Sequence, residues 1–140
     1  MAKSLDLARQ AMQTIIQNLP AKTLSYTSYC AVVVKLANGN RAVVVAEAGA
    51  TAKGINGKLV DTLENTLNCA VVPCADPTPG QGTWHMNDAE QQAMKTIGAG
   101  DTFNGATVKA VVANRAICQS CTFMLQQHGL VVNGSEAVAP

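Results

Sequence analysis

The stretch from Cys30 to Glu47, CAVVVKLANGNRAVVVAE, decides the fold of this chain. Two runs rich in β-branched residues, 30–36 and 41–47, flank the dipeptide Asn38-Gly39, which is typical of tight β-hairpin turns. The stretch therefore predicts two adjacent antiparallel strands. Because both runs are almost continuously apolar, we expect helices to cover the sheet on both faces.

The segments on either side of this hairpin alternate between helical and extended patterns. Apolar residues recur at helical spacing over 4–18, where Ser4 or Asp6 would cap the helix and Pro20 would end it. Strands that alternate with helices predict a single α/β domain over 1–140, a three-layer α/β/α sandwich with a mixed central sheet and an antiparallel N-terminal hairpin. The further predicted elements are a helix over 58–67, an edge strand or extended segment over 69–75, a helix over 88–98, a strand over 105–113, a helix over 118–128 and a last strand over 130–132.

The composition excludes several classes of protein. With 48% hydrophobic and only 14% charged residues, the chain is too apolar to be disordered. It contains no run of about 18 apolar residues, so we expect no membrane span. Its first ten residues, MAKSLDLARQ, lack the apolar core of a signal peptide. The formal charge of +1 gives no long-range attraction to nucleic acid, although a local basic patch would suffice for binding.

The cysteines point to a site rather than to a disulfide framework. There are five, an odd number, and no secretion signal accompanies them. Cys30 and Cys69 are expected to pack in the core, whereas Cys118 and Cys121 stand three positions apart at the start of a predicted helix. Helix N-termini stabilise thiolates, and two thiolates with a third side chain leave a zinc coordination position open for water.

An acidic triplet, Asp88-Ala89-Glu90, begins the preceding predicted helix. Two helices that follow neighbouring strands would bring their N-termini to one edge of the sheet, so we expect this triplet to lie near the cysteine pair. A simpler interpretation is that Asp88 and Gln91 form a capping box. The cysteine pair has two simpler interpretations of its own, a thiol redox pair and half of a structural zinc site.

The segments DAEQQAM (88–94) and NRAICQSC (114–121) resemble the signature of the zinc-dependent nucleobase deaminase superfamily, H-x-E followed by P-C-x-x-C. The predicted order of elements is similar to the cytidine deaminase-like fold, and NRAICQSCTFMLQQHGLVV (114–132) is similar to deaminase domains of bacterial polymorphic toxins. The resemblance implies that Cys118, Cys121 and Asp88 are zinc ligands and that Glu90 is the general acid and base.

The chain departs from the family signature at two positions. Ile117 replaces the usual proline, a mild change because this neighbour only shapes the start of the helix. Asp88 replaces the usual histidine, and two thiolates with a carboxylate would leave the zinc site with a net charge of −1, which should make the bound water less acidic. His85 is the alternative third ligand.

The resemblance implies hydrolytic deamination of a nucleobase, with cytosine to uracil in single-stranded DNA or RNA preferred and a toxin domain as the context. We expect Trp84 to stack on a base, Arg115 to contact a phosphate, and Asn40, by similarity to the family, to line the pocket. A free nucleoside or free-base deaminase, a catalytically silent zinc-binding module and a thiol redox protein are the alternatives. The resemblance also implies an immunity protein as partner, and a cytoplasmic location or delivery into a target cell within a larger toxin.

Overall fold

The computed structural model describes residues 2–48, 55–74, 89–98 and 103–140. Within these ranges the chain forms five helices and six strands. No helix in the described ranges is both long enough and apolar enough to cross a membrane. The elements are α1 (Ala2–Asn18), α2 (Ala21–Tyr26), β1 (Tyr29–Lys35), β2 (Arg41–Glu47), α3 (Gly57–Leu67), β3 (Ala70–Pro73), α4 (Ala89–Gly98), β4 (Thr107–Ala113), α5 (Gln119–Gln127), β5 (Val131–Asn133) and β6 (Glu136–Val138).

The predicted hairpin is confirmed. β1 pairs with β2 antiparallel, from Tyr29 opposite Glu47 to Lys35 opposite Arg41. The turn is closed by a hydrogen bond from the backbone N–H of Gly39 to the carbonyl of Leu36, 2.9 Å long. Gly39 has φ of 91°, a conformation that costs glycine little and other residues much more.

The six strands form one mixed sheet in the order β3-β2-β1-β4-β6-β5. β2 and β3 are parallel, whereas the other four pairs are antiparallel. β3 is an edge strand, as the interruption at Pro73 predicted, since proline has no N–H to donate to a further strand.

Helices cover both faces of the sheet, and the strand residues divide between two cores. Val33, Val43 and Val45 pack with α1 and α3. Val32, Val34 and Val44 point the other way and pack in the core that includes α4 and α5 residues. This alternation explains why both strands of the hairpin are apolar almost throughout, and the arrangement is compatible with an α/β sandwich.

Two local predictions were wrong, and one helix was missed. Pro20 ends α1 but also stands at the N-cap of α2, a six-residue helix that the sequence pattern did not indicate. The predicted single last strand is a hairpin in which β6 lies between β4 and β5. Ser4 does not cap α1, because the helix already includes Ala2; the Ser4 hydroxyl is buried and accepts a hydrogen bond from Arg41 Nε at 3.0 Å.

Candidate functional site

The N-termini of α4 and α5 meet at one edge of the sheet. β4 ends at Ala113, which pairs with Cys30 near the start of β1, and Cys118, five residues later, is the N-cap of α5. α4 packs against β1 and β2 and carries Glu90 in its first turn. The predicted convergence of these two helix starts is therefore present in the structure.

The side chain of Cys121 connects the two helix starts. Its thiol lies close enough to the side chains of both Cys118 and Glu90 for both to interact with it and raise its pKa. Cys121 is fully buried, Glu90 is 5% exposed and Cys118 is half-buried, with its Sγ 3.4 Å from the hydroxyl of Ser120. The structure thus brings together three of the residues that the sequence singled out, and it leaves one of them within reach of solvent.

Small side chains of the sheet lie beneath this cluster. Cys30 lies between Ala46 of β2 and Ala113 of β4 in the sheet register, and all three are buried against the α4 and α5 side. The Cys30 thiol is near enough to Glu90, Cys74 and Cys121 to interact with them electrostatically. Larger residues at these positions would push the helix starts away from the sheet. Cys30 is in the core, as predicted, but it also borders the candidate site.

Burial and negative neighbours decide the protonation of the buried thiols. Burial, followed by the charge of Glu90 and contacts with Cys118, raises the pKa of Cys121 far above its ordinary value. Burial likewise raises the pKa of Cys30. A bound divalent cation would reverse this balance, because a thiol that coordinates a metal is deprotonated.

The described residues supply two of the ligands that a zinc site would need. Two cysteine sulfurs at a helix N-terminus are ligands that zinc prefers, and Glu90 stands beside them on a different helix. Among the described residues, no group of three or more His, Cys, Asp or Glu side chains is arranged to hold a metal ion. Asp88 and His85, the two candidates for the third ligand, lie outside the described residues, as does Trp84.

Arg115 is engaged with the backbone. Its guanidinium donates hydrogen bonds of 2.9 Å to the carbonyl oxygens of Leu24 and Ser25, in the last turn of α2. These carbonyls have no partners within the helix, so the guanidinium caps α2. The side chain of Arg115 is also exposed, so these hydrogen bonds do not close it off from a phosphate. The phosphate contact stays a prediction.

The structure does not bring Asn40 to the site. Asn40 lies in the hairpin turn, beyond the Lys35 end of β1, whereas Cys30 lies at the other end of the same seven-residue strand. At about 3.3 Å per residue, the two ends are separated by roughly 20 Å. The hairpin turn and the start of β1 lie at opposite ends of that strand, so Asn40 is distant from Cys118, Cys121 and Glu90.

Two residues that the sequence analysis missed hold the site in place. The side chain of Gln92, on α4, donates a 2.8 Å hydrogen bond to the carbonyl of Glu47 at the end of β2. Asn114, directly after β4, bonds to the backbone at the start of β1. Both contacts join residues far apart in the chain. The sequence offered only one sign of them, a polar residue beside a predicted strand end or helix start.

Comparison with known proteins returns no match, since no family model, curated protein or solved structure is significantly similar to this chain. The resemblance to the nucleobase deaminases therefore depends on the two motifs and on the contacts among their residues.

Proposed function

We propose that this protein is a zinc-dependent hydrolase that removes the exocyclic amine from a nucleobase. The observation that carries the proposal is the meeting of two helix starts, where the buried Cys121 side chain interacts with Cys118 at the N-cap of its own helix and with the buried Glu90 in the first turn of another. Two metal-binding sulfurs with an adjacent buried carboxylate on a separate helix start match what such a reaction requires.

Glu90 moves the protons in the proposed reaction. A bound zinc ion would supply a water molecule whose pKa is lowered toward about 7. Glu90 would accept a proton from this water as the water adds to the ring carbon that carries the amine. Glu90 then returns protons to the ring nitrogen and to the departing nitrogen. Water is consumed, the C–N bond breaks, a carbonyl forms and ammonia leaves.

Cytosine in single-stranded DNA or RNA is the proposed substrate, on the toxin-like similarity of residues 114–132. A free nucleoside is the second candidate within the same chemistry. The same pair of neighbouring cysteines would also suit a thiol redox protein, so the experiments must separate all three. The pocket side chains select the base, and Trp84 is the residue proposed to stack on it.

The first experiment measures bound zinc per chain and ammonia release from single-stranded DNA, single-stranded RNA and cytidine. We expect zinc in the purified protein and turnover on at least one substrate. Glu90→Gln should retain zinc and lose about 10²- to 10⁴-fold in kcat, the range for removal of a general acid and base. Asp61→Asn, an exposed carboxylate on α3, is the matched control and should behave as the wild type.

The metal ligands are tested by Cys118→Ser and Cys121→Ser, with Cys69→Ser as the matched control on the α1 and α3 side of the sheet. The first two variants should lose zinc, whereas Cys69→Ser should keep it. Zinc without turnover on any base would instead favour the silent module. Absence of zinc together with a reversible Cys118–Cys121 disulfide would overturn the proposal in favour of a redox protein.

A further inference from the structure

Four residues, Asn114 to Ile117, connect the end of β4 to Cys118. Hydrogen bonds join this connection to neighbouring segments on both sides. On one side lies the link between α2 and β1, and on the other lies the turn between β5 and β6. The backbone N–H of Ile117 donates to the carbonyl of Gly134 in that turn, at 3.0 Å, directly before Cys118.

Asn114 makes the largest number of these contacts. Its side-chain oxygen accepts a 2.8 Å hydrogen bond from the backbone N–H of Tyr29. Its side-chain nitrogen donates to the carbonyls of Thr27 and Leu24, at 3.1 Å and 3.3 Å. The backbone N–H of Asn114 donates to the carbonyl of Tyr29 at 3.1 Å, which adds one rung beyond the β1–β4 pairing.

These partners require both a donor and an acceptor on a short side chain. An amide group provides both, and the surrounding backbone groups fix which way it points. Aspartate would keep only the acceptor for Tyr29, and alanine would keep neither. The contacts therefore select asparagine at position 114, four residues before Cys118, the nearer of the two proposed cysteine ligands.

We propose that Asn114 is a positioning residue that holds Cys118 in the geometry needed to bind the metal ion. This inference rests on the proposed function. Because Asn114 and the Ile117 N–H anchor the connection at its two ends, they fix the direction in which the chain enters α5 and thus where Cys118 stands at the N-cap. Partners outside the coordination shell that orient ligands in this way affect metal affinity although they never touch the metal.

The experiment measures the affinity of the wild type and of Asn114→Ala for Zn²⁺, by competition with a chromogenic chelator, and records the visible spectrum of the Co²⁺-substituted proteins. We expect Asn114→Ala to bind about 10- to 100-fold more weakly and to show an altered Co²⁺ spectrum. Asn114→Asp, which keeps the acceptor for Tyr29, should lie between the two. Asn38→Ala is the matched control, because it removes a side-chain acceptor for a backbone N–H at the far end of β1 and should bind as the wild type.

The outcomes separate this inference from the proposed function. Metal binding by the wild type with unchanged affinity and spectrum in Asn114→Ala overturns the positioning role and leaves the proposed function standing. Absence of metal binding by the wild type overturns both. If Asn114→Ala does not fold, Asn114→Asp decides the question by the same two readouts, and wild-type affinity in that variant also counts against the inference.

Discussion

At the scale of single residues, Tyr29 shows how burial sets a pH limit on stability. Tyr29 is fully buried at the start of β1 and lies directly opposite Glu47 on β2. Burial, reinforced by the Glu47 carboxylate, raises the pKa of Tyr29 from 10 to about 12. The folded protein therefore holds the phenol proton where the unfolded chain releases it, and this stabilisation is complete below pH 10 and is lost as the pH rises through about 12.

We predict that Tyr29→Phe makes the free energy of unfolding less dependent on pH between 10 and 12. Denaturant unfolding of the wild type and the variant across that range is the measurement. Burial also raises the pKa of Cys30 and Cys74, and these thiols titrate in both proteins, so only the difference between the two curves reports on Tyr29. Parallel curves for the two proteins would contradict the prediction.

At the scale of elements, the position of α4 depends on Gln92. Gln92 is 2% exposed, and its 2.8 Å hydrogen bond to the Glu47 carbonyl ties the first turns of α4 to the end of β2. We predict that Gln92→Met, which keeps the length but removes the donor, lowers the free energy of unfolding by about 1–3 kcal/mol. Under the proposed function, kcat should also fall, because Glu90 is two residues away.

Denaturant unfolding and turnover both test this role of Gln92. Gln127→Met is the matched control, because Gln127 is an exposed glutamine in the last turn of α5. If the two methionine variants have the same stability and the same kcat, Gln92 does not anchor α4.

The sequence predicted those elements whose pattern is local. The valine runs and Asn38-Gly39 predicted β1 and β2, because the β-branched runs and the turn residues between them agree. α2 and β6 were missed, since six and three residues are too few to show a period. Tertiary contacts stabilise such short elements: Asn114 and Arg115 both donate to the Leu24 carbonyl of α2, and β6 pairs on both sides in the sheet.

The difference between local patterns and long-range contacts also explains which residues of the candidate site were predicted. Glu90, Cys118 and Cys121 come together because each lies in or just before the first turn of a helix at the same edge of the sheet, and helix starts can be recognised in a sequence. Gln92 and Asn114 act across 45 and 85 residues, through bonds from a side chain to a distant backbone group. No spacing rule connects such partners, so only the folded chain identifies them.

At the scale of the whole molecule, one ion pair joins the first helix to the last strand. Arg9 on α1 donates two hydrogen bonds to the carboxylate of Glu136 on β6, from Nε at 2.7 Å and from a terminal guanidinium nitrogen at 2.8 Å. The two residues are 127 positions apart. This paired geometry is the most favourable one for arginine and a carboxylate, although solvent and salt weaken a pair at the surface.

The hydrogen bonds from Arg9 lower the pKa of Glu136 below its ordinary value. The pair therefore stabilises the fold fully above the ordinary glutamate pKa, and the contribution is lost as the pH falls through the lowered value. We predict that Glu136→Gln causes a small loss of stability at neutral pH that shrinks in strong acid and at high salt, because both conditions weaken the pair in the wild type. Denaturant unfolding of both proteins at neutral and acid pH, with and without added salt, measures it. A loss that stays the same under all four conditions would mean that Glu136 stabilises the C-terminal hairpin by packing and not by its charge.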